Sequence, residues 1–220
     1  NARLDSVIEQ VASSRTEIIR VSAYASIAMH WLPGIIQRFR EECPDVDVDI
    51  RMADHVDVPY ELLAQGKMDA ILVSPQDEGQ YEWVHLADDP MFAVLPRDFD
   101  TQGMTAFPLA AFEARDFIMP SQGFDKDIMR IFNRIGVKPH ILPTWVDDPT
   151  VISMVSHGLG VSMMTELTLR GRGDGVLLVP VEPKSARELG MAVRAGEGRQ
   201  ASLQQFLECA QTVLAELEPK

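Results

Sequence analysis

EIIRVSAYASIAMHWLPGIIQRFREECPDVDVDIRM, residues 17–52, sets an amphipathic stretch between two runs rich in β-branched residues. Ile18-Ile19-Arg20-Val21 reads as a strand over Glu17 to Ala23. In the middle stretch Trp31, Leu32, Ile35, Ile36 and Phe39 share one helical face, with Gln37, Arg38, Arg40 and Glu41 opposite. Ser26 reads as the N-cap of this helix, because its hydroxyl can accept from an unpaired first-turn N–H. Pro33 should bend the helix or delay its start, since a proline ring is tolerated only in a first turn. After Cys43-Pro44-Asp45, the residues Val46, Val48 and Ile50 alternate with Asp47, Asp49 and Arg51, the period of a strand over Val46 to Met52. Strand, helix and strand in succession predict an α/β fold with largely parallel strands.

The same grammar continues along the chain. A short helix from Pro59 to Gln65 should end at Gly66, and the apolar run Asp69 to Val73 suits a strand buried on both faces. Strands are expected at Trp83 to Ala87 and Met91 to Leu95, completing a first lobe. A second lobe should open near Phe117 to Met119, with a helix from Phe124 to Ile135 stopped by Gly136. It continues with a strand at His140 to Val146, a helix at Thr150 to His157, and strands at Val161 to Met164 and Val176 to Val179. The strand Leu189 to Arg194 and a helix over Ser202 to Leu217 should return the chain to the first lobe.

Composition narrows the function. Lys and Arg total 20 against 33 Asp and Glu, a formal net charge of −13. Neutralising phosphates needs a basic face, so these residues should not themselves bind nucleic acid, nor an anionic membrane. Two cysteines make no disulfide framework and fit a reducing cytosol. The five histidines show no His-x-x-x-His pair, so no metal site is expected. No Gly-x-Ser-x-Gly elbow, phosphate-binding loop or Gly-x-Gly-x-x-Gly motif is present, so neither an enzyme nor a cofactor is expected. Asn1-Ala2 reads as the remnant of a cleaved tag, and the helical spacing of Leu4, Val7, Ile8 and Val11 suggests a piece of a longer protein.

Ser26, Leu32-Pro33, Phe39-Arg40 and Pro44-Asp45-Val46 fall in an order that resembles the opening of the effector-binding domain of LysR-type transcriptional regulators. Leu62-Leu63…Gly66-Lys67-Met68-Asp69-Ala70-Ile71 is similar to that family's Leu-Leu…Gly-x-Leu-Asp-Leu-Ala segment, and Val94-Leu95-Pro96 to its strand ending. Met154 to Val161 is similar to its helix-to-strand turn. The resemblance covers almost the whole chain. It implies a periplasmic-binding-protein-like fold of type 2, two α/β lobes joined by two crossover strands, with a small-molecule effector held between them. Residues 1–16 would be the tag remnant and the tail of a linker helix. Residues 17–95 and 189–217 would form lobe I and 107–181 lobe II, with 96–106 and 182–188 as crossovers. DNA would be bound only through a winged helix-turn-helix absent from this chain. The resemblance also implies a cytoplasmic homodimer, or a tetramer at full length, that pairs lobe I against lobe II. Ile35, Phe39, Ile152 and Val155 are the candidate contacts. A solute-binding protein of a transport system, with the same fold, is the alternative.

Ligands of open α/β sheets settle beyond the carboxyl ends of strands, where helix N-termini expose free N–H groups. Three corners meet that description. Tyr24, Ser26 and Ile27 follow the first strand, Ser26 by the family's Ser/Thr turn. Ser121 and Gln122 precede the first helix of the second lobe, where small polar residues and Gly123 suit a backbone-led site or a plain cap. Trp145 and Asp147 stand at the third corner. Asp148-Pro149 reads as N-cap and first-turn proline, leaving Asp147 to face an amine or hydroxyl of the ligand, while Trp145 either stacks on it or is core. Tyr60 and Ser74 complete the candidate site. Helix N-termini favour an anion and the two aspartates oppose one, so ligand charge stays open.

Overall fold

In the computed structural model, which describes residues 17–52, 57–76, 79–120, 125–144, 146–196 and 200–217, β1 (Glu17–Ala23) pairs in parallel with both β2 (Val46–Met52) and β3 (Ala70–Val73). Arg20 fixes the start of this sheet. It grips Asp69 with Nε at 2.9 Å and Nη2 at 2.7 Å, and its backbone N–H donates to the same carboxylate. Between β1 and β2 the chain forms two helices rather than one: α1 (Ala25–His30) and α2 (Leu32–Glu42). Trp31 is the joint, and Pro33 sits in the first turn of α2, so the proline delays the second helix as its ring requires. The N-cap of α1 is Tyr24, which puts Ser26 inside the helix and corrects its expected capping role.

After α3 (Asp57–Ala64) and β3, the chain enters β4 (Tyr81–Pro96), a strand of 16 residues that runs through both lobes. Its first half pairs antiparallel with β10 (Ala186–Arg194) up to Pro90. Its second half, from Met91, pairs antiparallel with β8 (Ser162–Thr165) and β9 (Val176–Glu182). Pro90 has no N–H to donate, so one ladder ends there and the other begins. The remaining lobe II elements are β5 (Phe107–Pro108), a 3₁₀ turn (Leu109–Ala114), β6 (Asp116–Phe117), α4 (Asp125–Ile135), β7 (His140–Ile141), α5 (Asp148–Ser156) and α6 (Glu166–Leu169). The chain closes on lobe I with α7 (Ala201–Leu217). Spatial order in the main sheet is β2-β1-β3-β10-β4-β9-β5, with β8 also on β4. The sheet is mixed rather than largely parallel, because both crossover strands run against their neighbours.

Three apolar clusters fill the fold. The first, in lobe I, packs the sheet against α2 and α7, with Phe39 edge-on to Phe206 at 5.4 Å. The second joins Phe107, Phe112, Phe117 and Phe132, rings that meet mostly edge to face. The third lines α5 with Val151, Ile152 and Val155 against Val94 and Ile118. Met91, Ala93 and Leu95 belong to the second cluster, so the expected lobe I boundary at residue 95 falls too late. The chain crosses at Asp89-Pro90 on one strand and next to Ser185-Ala186 on the other, where the Met91 N–H donates to the Ser185 carbonyl at 2.9 Å. Leu167 of α6 packs into the lobe I cluster across the cleft.

The expected dimer contacts need correction. Ile35, Phe39 and Val155 are fully buried and Ile152 nearly so, all within their own lobes' cores. An apolar helical stripe buries itself against its own sheet first. What the lobe I edge exposes instead is Pro33, Arg40, Ile50 and Met52. No helix among the described residues is long and apolar enough to cross a membrane.

Candidate functional site

The cleft between the lobes holds a cavity of about 350 Å³. Ser26 of α1 and Met52 of β2 face it from lobe I, and Asp127 of α4, Asp147 and Asp148 of α5 and Thr168 of α6 from lobe II. Its floor is Arg187, on the crossover strand β10.

Arg187 is 5% exposed and its partner Asp89 3%, so this is an ion pair taken out of water. Nη2 of Arg187 lies 2.7 Å from Asp89 Oδ2 and donates also to the Ser26 and Thr165 hydroxyls, each at 3.2 Å. The other oxygen, Asp89 Oδ1, accepts from the Leu167 N–H at 2.9 Å. The guanidinium stacks 5.3 Å above the Tyr24 ring. One charged group therefore touches lobe I through Ser26 and Tyr24, lobe II through Thr165, and the hinge through Asp89. Nε of Arg187 is buried with no hydrogen-bond partner among the described residues. A buried N–H of a cation left without an acceptor costs on the order of 1–3 kcal/mol, which an incoming acceptor would recover.

A second set of contacts ties the lobes together beside the cavity. Ser74 donates from its hydroxyl to Asp127 Oδ2 at 2.9 Å, and Asp127 Oδ1 pairs with Arg130 at 2.9 Å. The Ser74 carbonyl accepts from the Tyr60 hydroxyl at 2.7 Å, and its N–H donates to the Tyr24 oxygen at 3.3 Å. Burial first, then the nearby Asp127 charge, pushes the Tyr24 phenol up to about 12, so it stays protonated. Burial likewise raises the Tyr60 phenol.

The nine residues expected to touch an effector are therefore distributed unequally. Ser26 and Asp147 face the cavity. Tyr24 and Ile27 are packed in the lobe I cluster, the first beneath Arg187. That burial corrects their expected direct contact. Tyr60 and Ser74 are also buried; Ser74 bonds across to Asp127 of the other lobe, and Tyr60 holds the Ser74 carbonyl. Ser121, Gln122 and Trp145 lie outside the described residues. The roles of the paired aspartates are exchanged: Asp147 is the N-cap of α5, accepting from the Thr150 N–H at 3.1 Å, and this bond holds its carboxyl low. Asp148 follows inside the helix, where burial raises its carboxyl against the pull of Arg172 and Arg187.

Arg187 and Asp89 were not among the expected site residues, yet Arg187 carries a signal. Arg187, Leu189, Met191 and Val193 alternate along β10, and all four are buried. A charge written into the inward register of a strand calls for a buried partner.

Among known proteins, the family model described as LysR substrate binding domain matches residues 12–215. Relatives include the HTH-type transcriptional regulators YvbU of Bacillus subtilis (strain 168), 23% identical over 92% of this chain, and TtuA of Agrobacterium vitis, 24% over 81%. The chain spans 71% of the first and 62% of the second. The fold matches the BenM effector-binding domain with its effector benzoate, at a TM-score of 0.80, 19% identity and coverage of 92% of this chain and 96% of that one. It also matches the effector-binding domain of QuiR in complex with shikimate, at 0.78, 17%, 90% and 97%. The curated relatives are regulators, which overturns the transport alternative, and their family is not an enzyme class. A cleft floored by one two-lobed ion pair, on a chain matched over nearly its full length, places this protein in the LysR substrate binding domain family, as a ligand-sensing regulatory domain.

Proposed function

We propose that this domain senses a compact small molecule carrying an oxygen acceptor, such as a carboxylate, directed at Arg187, with its apolar body against Met52, Met91 and Met164. The single observation that carries this reading is the buried Arg187 guanidinium, held by hydroxyls of both lobes and keeping an unpartnered N–H. Arg172 adds a second positive charge on the cavity wall, while Asp147 is occupied as a helix cap. A ligand that touches both lobes shifts the arrangement of the lobes only by the difference in its affinity for each arrangement. In the whole protein, that shift would be passed to a helix-turn-helix outside this chain, which would bind DNA in the cytoplasm.

The expected homodimer is assigned here to the outer face of lobe I rather than to the buried stripe. β2 is the edge strand of the sheet, and Ile50 is 43% exposed in a groove that it shares with Leu32, Ile36 and Arg40. A second copy of the chain is its occupant, since an open apolar strand edge otherwise invites aggregation.

A thermal-shift panel of small carboxylates, amines and neutral aromatics tests the ligand reading. A ligand at 100 times its Kd stabilises by about 2.7 kcal/mol. A carboxylate hit abolished by Thr165→Val or Ser26→Ala supports the proposal, and a panel in which only amines stabilise the protein refutes it.

A further inference from the structure

Arg187 and Asp127 border two chambers of the cleft. The second encloses about 250 Å³ between Pro75 after β3, Arg130 and Arg134 on α4, and Glu188 beside Arg187 on β10. In a chain of net charge −13, three arginines line this one small space. Arg130 and Arg134 are four residues apart on α4, so their stems share a face at roughly 5–6 Å, an arrangement that destabilises a helix when the charges are alike.

Asp127, Glu188 and Asp89 balance the three arginines in formal charge, but they do not use up their N–H groups. Asp127 is already engaged on both oxygens, by Arg130 and by the Ser74 hydroxyl. Asp89 takes Arg187 from behind through Nη2 only. Arg134 donates to a neutral acceptor, the Ser185 hydroxyl, at 3.3 Å. Glu188 is the one remaining carboxylate of the lining, and it is exposed. The chamber thus presents more cationic N–H groups than acceptors to receive them.

We propose that this chamber is a separate binding site for a tetrahedral oxyanion of the phosphate or sulfate type. Guanidinium forks pair with phosphate oxygens bidentately, and three forks approaching from two elements suit an anion whose oxygens spread in three dimensions better than a planar carboxylate. An anion there would join α4 of lobe II to the crossover strand. It would act beside the main cavity rather than in it.

The test is calorimetric titration of the domain with inorganic phosphate at fixed ionic strength, with acetate as the comparison. Saturable binding of one phosphate is expected, with acetate weaker by about tenfold or more. Arg134→Gln, at an exposed position, should weaken phosphate by about tenfold while the thermal midpoint without phosphate holds. Arg38→Gln removes the same charge from the far side of lobe I and should change nothing, which separates a built site from general attraction. Equal binding of phosphate and acetate, no saturation, or an unchanged affinity in Arg134→Gln would overturn the proposal. So would loss of phosphate binding in Ser26→Ala alone, because that places the anion in the main cavity. The carboxylate panel fails or succeeds on Ser26 and Thr165, so the two readings fall independently.

Discussion

Replacing Asp89 by Ala removes the only carboxylate that pairs with the buried Arg187 among the described residues. It strands two groups at once: the guanidinium keeps only the Ser26 and Thr165 hydroxyls, and the Leu167 N–H loses its acceptor. Breaking a buried ion pair from one side costs about 3–5 kcal/mol, because the remaining charge has no water to solvate it. At about 2–4 °C per kcal/mol for a chain of this size, the thermal midpoint should fall by roughly 6–20 °C. Asp89→Asn keeps an acceptor for Leu167 and should fall between the variant and the wild type. The double variant Asp89→Ala with Arg187→Met should regain much of the loss, since an apolar replacement of both partners removes the stranded charge. Thermal scans of these variants and of Arg187→Met alone read this directly. A loss below about 1 kcal/mol in Asp89→Ala, or a double variant worse than the sum of its parts, would refute the account of Arg187 as a desolvated charge held by Asp89.

Phe39→Ala should cost about 3–5 kcal/mol, because the ring is fully buried against Phe206; urea unfolding measures it. Ile50→Asp should leave the fold within about 0.5 kcal/mol while shifting sedimentation from dimer to monomer. Asp147→Ala removes the cap of α5 and should cost about 1 kcal/mol, with Asp147→Asn recovering most of it. Asp69 is pushed up by burial, but its bonds to Arg20 outweigh this and hold the carboxyl below its ordinary 3.8. A lowered folded-state value means that its stabilisation is complete above about pH 4 and fades as pH falls through the folded value. Arg20→Met should therefore flatten the acid limb of the stability curve in that window and leave its neutral-to-alkaline slope unchanged.

What the sequence could disclose follows from which interactions are local. Alternation in Val46 to Ile50 and the stripe of Ile35 and Phe39 fix strand and helix, because periodicity records which face is apolar. It does not record what that face meets, and here the core takes Ile35 and Phe39 before any partner can. Asp147-Asp148-Pro149 announces a helix start, yet either aspartate satisfies the pattern. Only the Thr150 N–H, at 3.1 Å from Asp147, settles which one caps. The crossing between lobes is harder still. Met91, Ala93 and Leu95 continue the strand without a break, and Pro90 is the one local mark of a ladder changing partners. The Arg187–Asp89 pair joins residues 98 positions apart, beyond the reach of any local pattern except the odd charge in an inward register.

That pair also explains how a cleft ligand can bear on the whole domain. Two packed lobes are joined at Asp89-Pro90 and next to Ser185-Ala186, and an ion pair buried at that junction resists separation, because no water is there to solvate either charge. Arg187 Nη2 meanwhile reaches one hydroxyl of each lobe, Ser26 from one and Thr165 from the other. An acceptor that takes the unpartnered Nε–H of Arg187 leaves the three Nη2 contacts in place, so its binding energy is spent on the difference between lobe arrangements rather than on the pair itself. The Ser74–Asp127 bond opposes that difference from the side of the cleft. Ser74→Ala should therefore raise ligand affinity if opening the cleft accompanies binding, and lower it if closure does. Calorimetry with the first carboxylate found to bind decides the sign, and an affinity unchanged within about twofold would show that this bond does not couple the lobes to the ligand.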